Sequence, residues 1–179
     1  MLKTAINGIQ FIAERFAALI TVAACVALVV ATLHIVADVF MSRFFRSPII
    51  GTHDIVTTYY MVSLFFLPLA YAESRGAHIK ADLFFTPLPF AVRWCVSMVT
   101  YLSLSGFLSV LTWQMTLRAI RQTNIGDMRL IGDFYLLLWP SRWLAVLGIA
   151  AFTIIAVIRT LSLLVPGGYD NLERRHDDA

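Results

Sequence analysis

Charge is scarce in this chain. Of its 179 residues only 14 % are Asp, Glu, Lys or Arg, where a soluble domain of that size carries about a quarter. A water-facing globular fold is therefore excluded first. Cysteine is scarcer still. Cys25 and Cys95 both lie inside apolar runs; they read as small apolar fillers, with no disulfide or metal framework. There is no His-Glu-x-x-His zinc helix, no Gly-x-Ser-x-Gly elbow and no phosphate-cradling Gly-x-x-x-x-Gly-Lys loop. No catalytic constellation and no metal site is found, and an enzyme is not expected. Histidines stand at 34, 53, 78 and 176. Only His34 is near the interior of an apolar run, so a membrane haem held by facing histidines is disfavoured. The net charge is +3, but no Lys/Arg cluster interleaves with aromatics, which argues against nucleic acid as a partner. Asp, Glu and Lys are missing from the middle of the long apolar runs, where an intramembrane protease or pump would need one. The broken helices from which transporters build midplane sites are not seen either.

What the chain has in quantity is apolar length. Hydrophobic residues make up 59 % and mean hydropathy is +0.78. The few charges gather at the ends of the apolar runs, the pattern of helices crossing a bilayer. The expected fold is an all-α membrane protein of four transmembrane helices with short amphipathic or interfacial segments. Residues 1–15 carry Ile6, Ile9 and Ile12 or Ala13 at helical spacing, with Lys3, Asn7, Gln10 and Glu14 elsewhere on the wheel. They read as an amphipathic segment lying in the interface, rather than a cleaved signal peptide. The transmembrane unit is placed at 16–159, with spans at about 16–38, 55–72, 94–117 and 134–158, and a short polar tail follows at 160–179.

Within the first span, Phe16–Leu33 is free of charge and Ala23, Ala27 and Ala31 recur every fourth residue, a ribbon that would let another helix come close. His34 and Asp38, four apart, share a face near the end of that span. They read either as boundary polar groups or as a partner-facing pair. Thr52 or Asp54 is suited to cap the second helix, and Pro68 bends its last turns. Leu83–Phe90 is too short and too rich in proline to cross, and reads as re-entrant or interfacial. Ser97, Ser103, Ser105, Gly106 and Ser109 give the third span small polar groups for helix packing. Asp133 is placed to cap the fourth helix. Pro140 sits near its start, Arg142 snorkels to the interface, and Arg159 ends the span.

Orientation follows from Lys and Arg alone. The side shared by the two termini and the link between spans two and three carries eight of them; the other carries five, or six with Arg142. The bias puts both termini in the cytoplasm.

The densest run of ionisable groups between the first and last spans is Glu73-Ser-Arg-Gly-Ala-His-Ile-Lys-Ala-Asp82. Glu73, Arg75, His78, Lys80 and Asp82 alternate in sign and suit either a small ion-paired cluster or a plain charged hairpin, and Gly76 supplies the tight turn. This stretch resembles the signature of the small membrane subunit of tripartite ATP-independent periplasmic (TRAP) transporters, the DctQ-like family. Its members carry Glu-x-x-Arg-Gly-x-His-Ile-x-x-Asp after the second span. Glu73, Arg75, Gly76, His78, Ile79 and Asp82 match it, with the gap between Glu and Arg one residue shorter. Ala81 replaces the usual branched aliphatic residue. Length, four spans, Pro140 at the start of the fourth and a charged tail extend the resemblance over most of the chain.

The resemblance implies a bacterial inner-membrane subunit with no substrate site, metal or cofactor of its own. It would pair with a large membrane subunit that holds the substrate and sodium sites and moves as an elevator, while the small subunit widens the fixed scaffold. A periplasmic binding protein would deliver an organic acid such as a dicarboxylate or sialic acid, and membrane lipid would surround the whole. A redox or quinone-associated anchor subunit, and a self-contained small channel or four-helix membrane protein, are the competing expectations.

Overall fold

The computed structural model describes residues 2–75 and 90–163. Gly76, His78, Lys80 and Asp82, all but Phe90 of the interfacial segment expected at 83–90, and the tail from 164 onward lie outside the described residues. Four helices are long and apolar enough to cross a membrane: Gln10–Phe45, Thr52–Ser74, Val92–Asn124 and Trp139–Leu163.

The first helix, α1, runs from Leu2 to Phe45 without a break. The amphipathic segment expected as a separate piece is thus its first turns. At ~1.5 Å per residue α1 is about 66 Å long, twice the ~30 Å hydrocarbon core. It must lean steeply or project beyond the bilayer. The alanines that pack are Ala17, Ala24 and Ala31, each buried, whereas Ala23 is exposed. The seam within the chain thus recurs at every seventh residue, and the ribbon expected at Ala23, Ala27 and Ala31 meets it only at Ala31. A seven-residue step drifts only about 20° around a helix, so the seam stays on one face.

The second span is segmented. It comprises α2 (Thr52–Ile55), a π turn (Val56–Tyr60), α3 (Met61–Phe66) and α4 (Leu69–Ser74). The interruption at Leu67–Pro68 follows from proline's missing N–H. The interruption falls where the bend at Pro68 is expected, near the end of the span and not at mid-depth. Neither Thr52 nor Asp54 caps the helix. The cap position is Gly51, in the left-handed region at φ 86°, with no side-chain bond.

The third helix, α5, spans Phe90–Asn124, a turn or more beyond the expected end. The connection after it is not a loop. Met128–Ile131 (β1) and Phe134–Leu137 (β2) pair antiparallel, Ile131 opposite Phe134. Gly132, at φ 57°, takes the first of the two turn positions, where such hairpins favour glycine. The fourth helix, α6, therefore starts at Trp139 and runs to Leu163. Residues 134–137 belong to the hairpin, and Asp133 sits in its turn instead of capping α6.

The hairpin is fastened across one end of the bundle. A Cβ on Gly51 would stand 2.8 Å from the Phe134 ring, and one on Gly132 would stand 2.8 Å from Ile50 Cγ2. The connector between the first two spans and the hairpin tip thus interlock at two glycines. Arg129 pairs with Asp54 at 3.3 Å and Arg142 with Asp127 at 3.2 Å, while the Tyr59 hydroxyl donates to the Leu137 carbonyl.

The core sits on α6. Of its most apolar stretch 61 % is buried, against 17, 22 and 11 % for the other three spans in order. Ala151, Phe152, Ile155 and Ala156 of α6 meet Ala17, Ala70 and Leu108 from the other three. Gly148 lies so close to the second span that a methyl group there would overlap the Phe66 carbonyl. Thr153 and Thr112 join α6 to α5 through a hydroxyl contact of 2.7 Å. The small polar residues of α5 divide: Ser105 is buried, whereas Ser103 is exposed and Gly106 has nothing near its Cβ position.

Candidate functional site: a buried ion pair beneath the polar link

Glu73 is the last residue but one of α4, so the helix end that leads into the polar link also sets its side chain. That side chain turns into the bundle and is fully buried. Arg159 Nη1 lies 3.3 Å from Glu73 Oε1, with the arginine side chain 5 % exposed. The guanidinium also donates to the Tyr101 hydroxyl at 3.3 Å and to the Ser74 carbonyl at 3.0 Å. The neighbouring Thr160 hydroxyl is 3.1 Å from the Tyr101 carbonyl. Three spans thus meet at one polar point: Glu73 and Ser74 from the second, Tyr101 from the third, Arg159 and Thr160 from the fourth. Desolvating two charges is costly, and their attraction offsets that cost only with close geometry and further hydrogen bonds. Tyr101 and Ser74 provide such bonds.

Arg159 was expected to mark the end of the fourth span at the water boundary. It is instead enclosed, and α6 continues to Leu163. It is the residue that sequence reasoning missed. Its only local signal was an arginine with four further helical residues behind it, too far in to count as a terminal flank.

Arg75 does not share this centre. It is exposed, and its Nε donates to the Tyr71 hydroxyl at 3.1 Å while its guanidinium stacks over that ring. Residues two apart on a helical turn point about 200° from one another. Alternating sign along the sequence therefore separates Glu73 from Arg75 in space. Gly76, His78 and Asp82 lie outside the described residues.

The three other polar positions fall at the hairpin end. Asp38 accepts the Ile49 N–H at 2.7 Å and so fixes the turn after α1. His34 Nδ1 stands 3.5 Å from the Tyr60 hydroxyl, its ring edge-on to the tyrosine. The two share a face of α1, but each has its own partner. Arg142, in the first turn of α6, reaches Asp127. Among the described residues no three His, Cys, Asp or Glu side chains gather where they could hold a metal.

This arrangement ties the second, third and fourth spans to one another. The model of the DctQ component of tripartite ATP-independent periplasmic transporters matches residues 31–165. The chain belongs to the DctQ family. Both Glu73 and Arg159 fall within the matched stretch, as do parts or all of the four spans. No curated protein and no solved structure matches the chain. As a DctQ-family member it is a multi-span membrane component of a TRAP-type transporter, and the all-α, four-span architecture expected from its composition is what the structure has.

Proposed function

We propose that this chain is the small, non-catalytic membrane subunit of a sodium-driven TRAP transporter that imports an organic acid. It stands beside the large membrane subunit and enlarges the part of the assembly that stays still. Substrate and sodium are handled by the large subunit, and a periplasmic protein delivers the substrate. The chain resides in the bacterial inner membrane with both termini in the cytoplasm, so the hairpin faces the periplasm.

The observation that carries this reading is the DctQ match over residues 31–165. The distribution of surface supports it. The first and third spans leave most of their apolar stretches uncovered, and they expose small positions such as Ala23 and Gly106, which suit close approach of another helix. A scaffold needs rigid packing within itself and uncovered apolar faces outside, and this chain has both.

Affinity purification of the tagged chain from its native membrane tests the reading. A much larger multi-span protein should come down with it in fixed proportion. Sodium-driven uptake by liposomes that contain this chain alone would overturn it.

A further inference from the structure

Where the hairpin meets the bundle, a crevice of about 340 Å³ opens between the second, third and fourth spans. That volume is in the range of small-ligand sites. Its lining changes character with depth. Arg118, Arg129 and Arg142 stand at the hairpin end, together with the Ser141 side chain. One turn deeper into the bundle, Arg118 gives way to Met115 and Arg142 to Ala145. Along the second span Thr58 gives way to Val62 and then Phe66. A second crevice, about 440 Å³ and lined only by apolar and aromatic side chains of 61–66, shares Val62 and Phe66 with the first.

The charge in the upper part does not cancel. Asp54 pairs with Arg129 and Asp127 with Arg142, while Arg118 forms no ion pair among the described residues. Three guanidinium groups against two carboxylates leave one positive charge. Exposed Trp143 and Tyr135 stand at the same end, and such aromatics settle at headgroup depth. An arginine with an unmatched charge at that depth attracts a phosphate. The apolar lower part would be filled by hydrocarbon.

We infer that this crevice binds one anionic phospholipid, its phosphodiester on Arg118 between the two salt-bridged arginines and an acyl chain along Val62 and Phe66. A net single positive charge matches a lipid with one negative charge and no cationic group. Phosphatidylglycerol fits, and phosphatidylcholine, whose choline would meet Arg129 or Arg142, does not. A bound lipid would fill the gap between hairpin and spans with an ordered molecule. The inference does not depend on which large subunit accompanies the chain.

The full chain, purified in mild detergent with whatever partner accompanies it and then delipidated, tests this directly. It is titrated separately with phosphatidylglycerol, phosphatidylcholine of the same chains and sn-glycerol 3-phosphate. Occupancy is read by native mass spectrometry and the thermal midpoint in parallel. Phosphatidylglycerol should be retained as a single molecule and raise the midpoint; the other two should do neither at the same concentration. Arg118→Gln should weaken retention about tenfold or more, the scale of a charged hydrogen bond, and Arg118→Lys should keep most of it. Arg118 is exposed and unpaired among the described residues, so its loss leaves the fold intact. Val62→Trp, which obstructs the apolar part and touches no charge, should also weaken retention. Equal phosphatidylglycerol binding by the wild type and Arg118→Gln overturns the proposal. So does glycerol phosphate acting as well as the lipid, because the crevice would then hold a free anion without need of a chain.

Discussion

Glu73 and Arg159 are the two charged side chains that the bundle encloses, among the described residues. Their worth depends on each other. Removing one partner takes away the counter-charge that offsets the other's burial, at a cost of about 3–5 kcal/mol. Removing both leaves an apolar site of similar volume. Glu73→Ala and Arg159→Ala should each lower the thermal midpoint of the purified chain sharply, and the double variant Glu73→Met with Arg159→Met should recover most of the loss. Near-wild-type midpoints for both single variants would reduce the pair to a bystander. Two glycines offer a second contrast. A methyl on Gly148 would overlap the Phe66 carbonyl, whereas Gly106 has open space around it. Gly148→Ala should therefore destabilise by about 1–3 kcal/mol, as overpacking does. Gly106→Ala should be neutral or stabilising by up to about 1 kcal/mol through helix propensity. The two variants compared in one thermal assay decide whether helix contact or propensity governs these positions.

Among elements, the hairpin at 128–137 shows which kind of contact holds it. Its ion pair Arg129–Asp54 has the arginine side chain 61 % exposed, and exposed pairs contribute about 0–1 kcal/mol. The interlock of Gly51 and Gly132 with Phe134 and Ile50 is steric, and Gly132 also needs a left-handed backbone that costs other residues about 1–2 kcal/mol. Gly132→Val should accordingly loosen the hairpin, raising hydrogen exchange of the Met128–Leu137 amides, while Arg129→Ala should leave it nearly unchanged. The reverse order would mean that charge, not fit, holds the hairpin down. This element was not legible in the sequence. Phe134–Leu137 is apolar and leads straight into Trp139, and an apolar run of that length does not distinguish strand from helix. Gly132-Asp133 carried the turn signal. The second span's break was legible as Pro68, but the π turn at 56–60 leaves no residue-level mark.

On the scale of the whole molecule, class and span count were legible because bilayer thickness and charge exclusion act on composition and run length, which any window reads. The buried pair was half legible: the motif drew attention to Glu73, but its counterpart is distant in sequence and lies in another helix. The covered face of α1 was not legible, because the seam at Ala17, Ala24 and Ala31 is set by how α1 lies along the second span and α6, which local spacing does not encode. What that packing leaves bare leads to the last prediction. Ala23 on the first span is small and exposed, and Gly106 on the third has open space at its Cβ position. Tryptophan at both positions should not unfold the chain, since lipid accommodates it. If the large subunit docks through these faces, the same residues would hold two helices apart, because small interfacial residues set how closely backbones approach. Ala23→Trp with Gly106→Trp should thus retain the thermal midpoint of the isolated chain yet lower recovery of the large subunit in affinity purification by about tenfold, about 1.4 kcal/mol of association energy. Undiminished recovery from the double variant would place the partner on another face and leave the first and third spans to lipid.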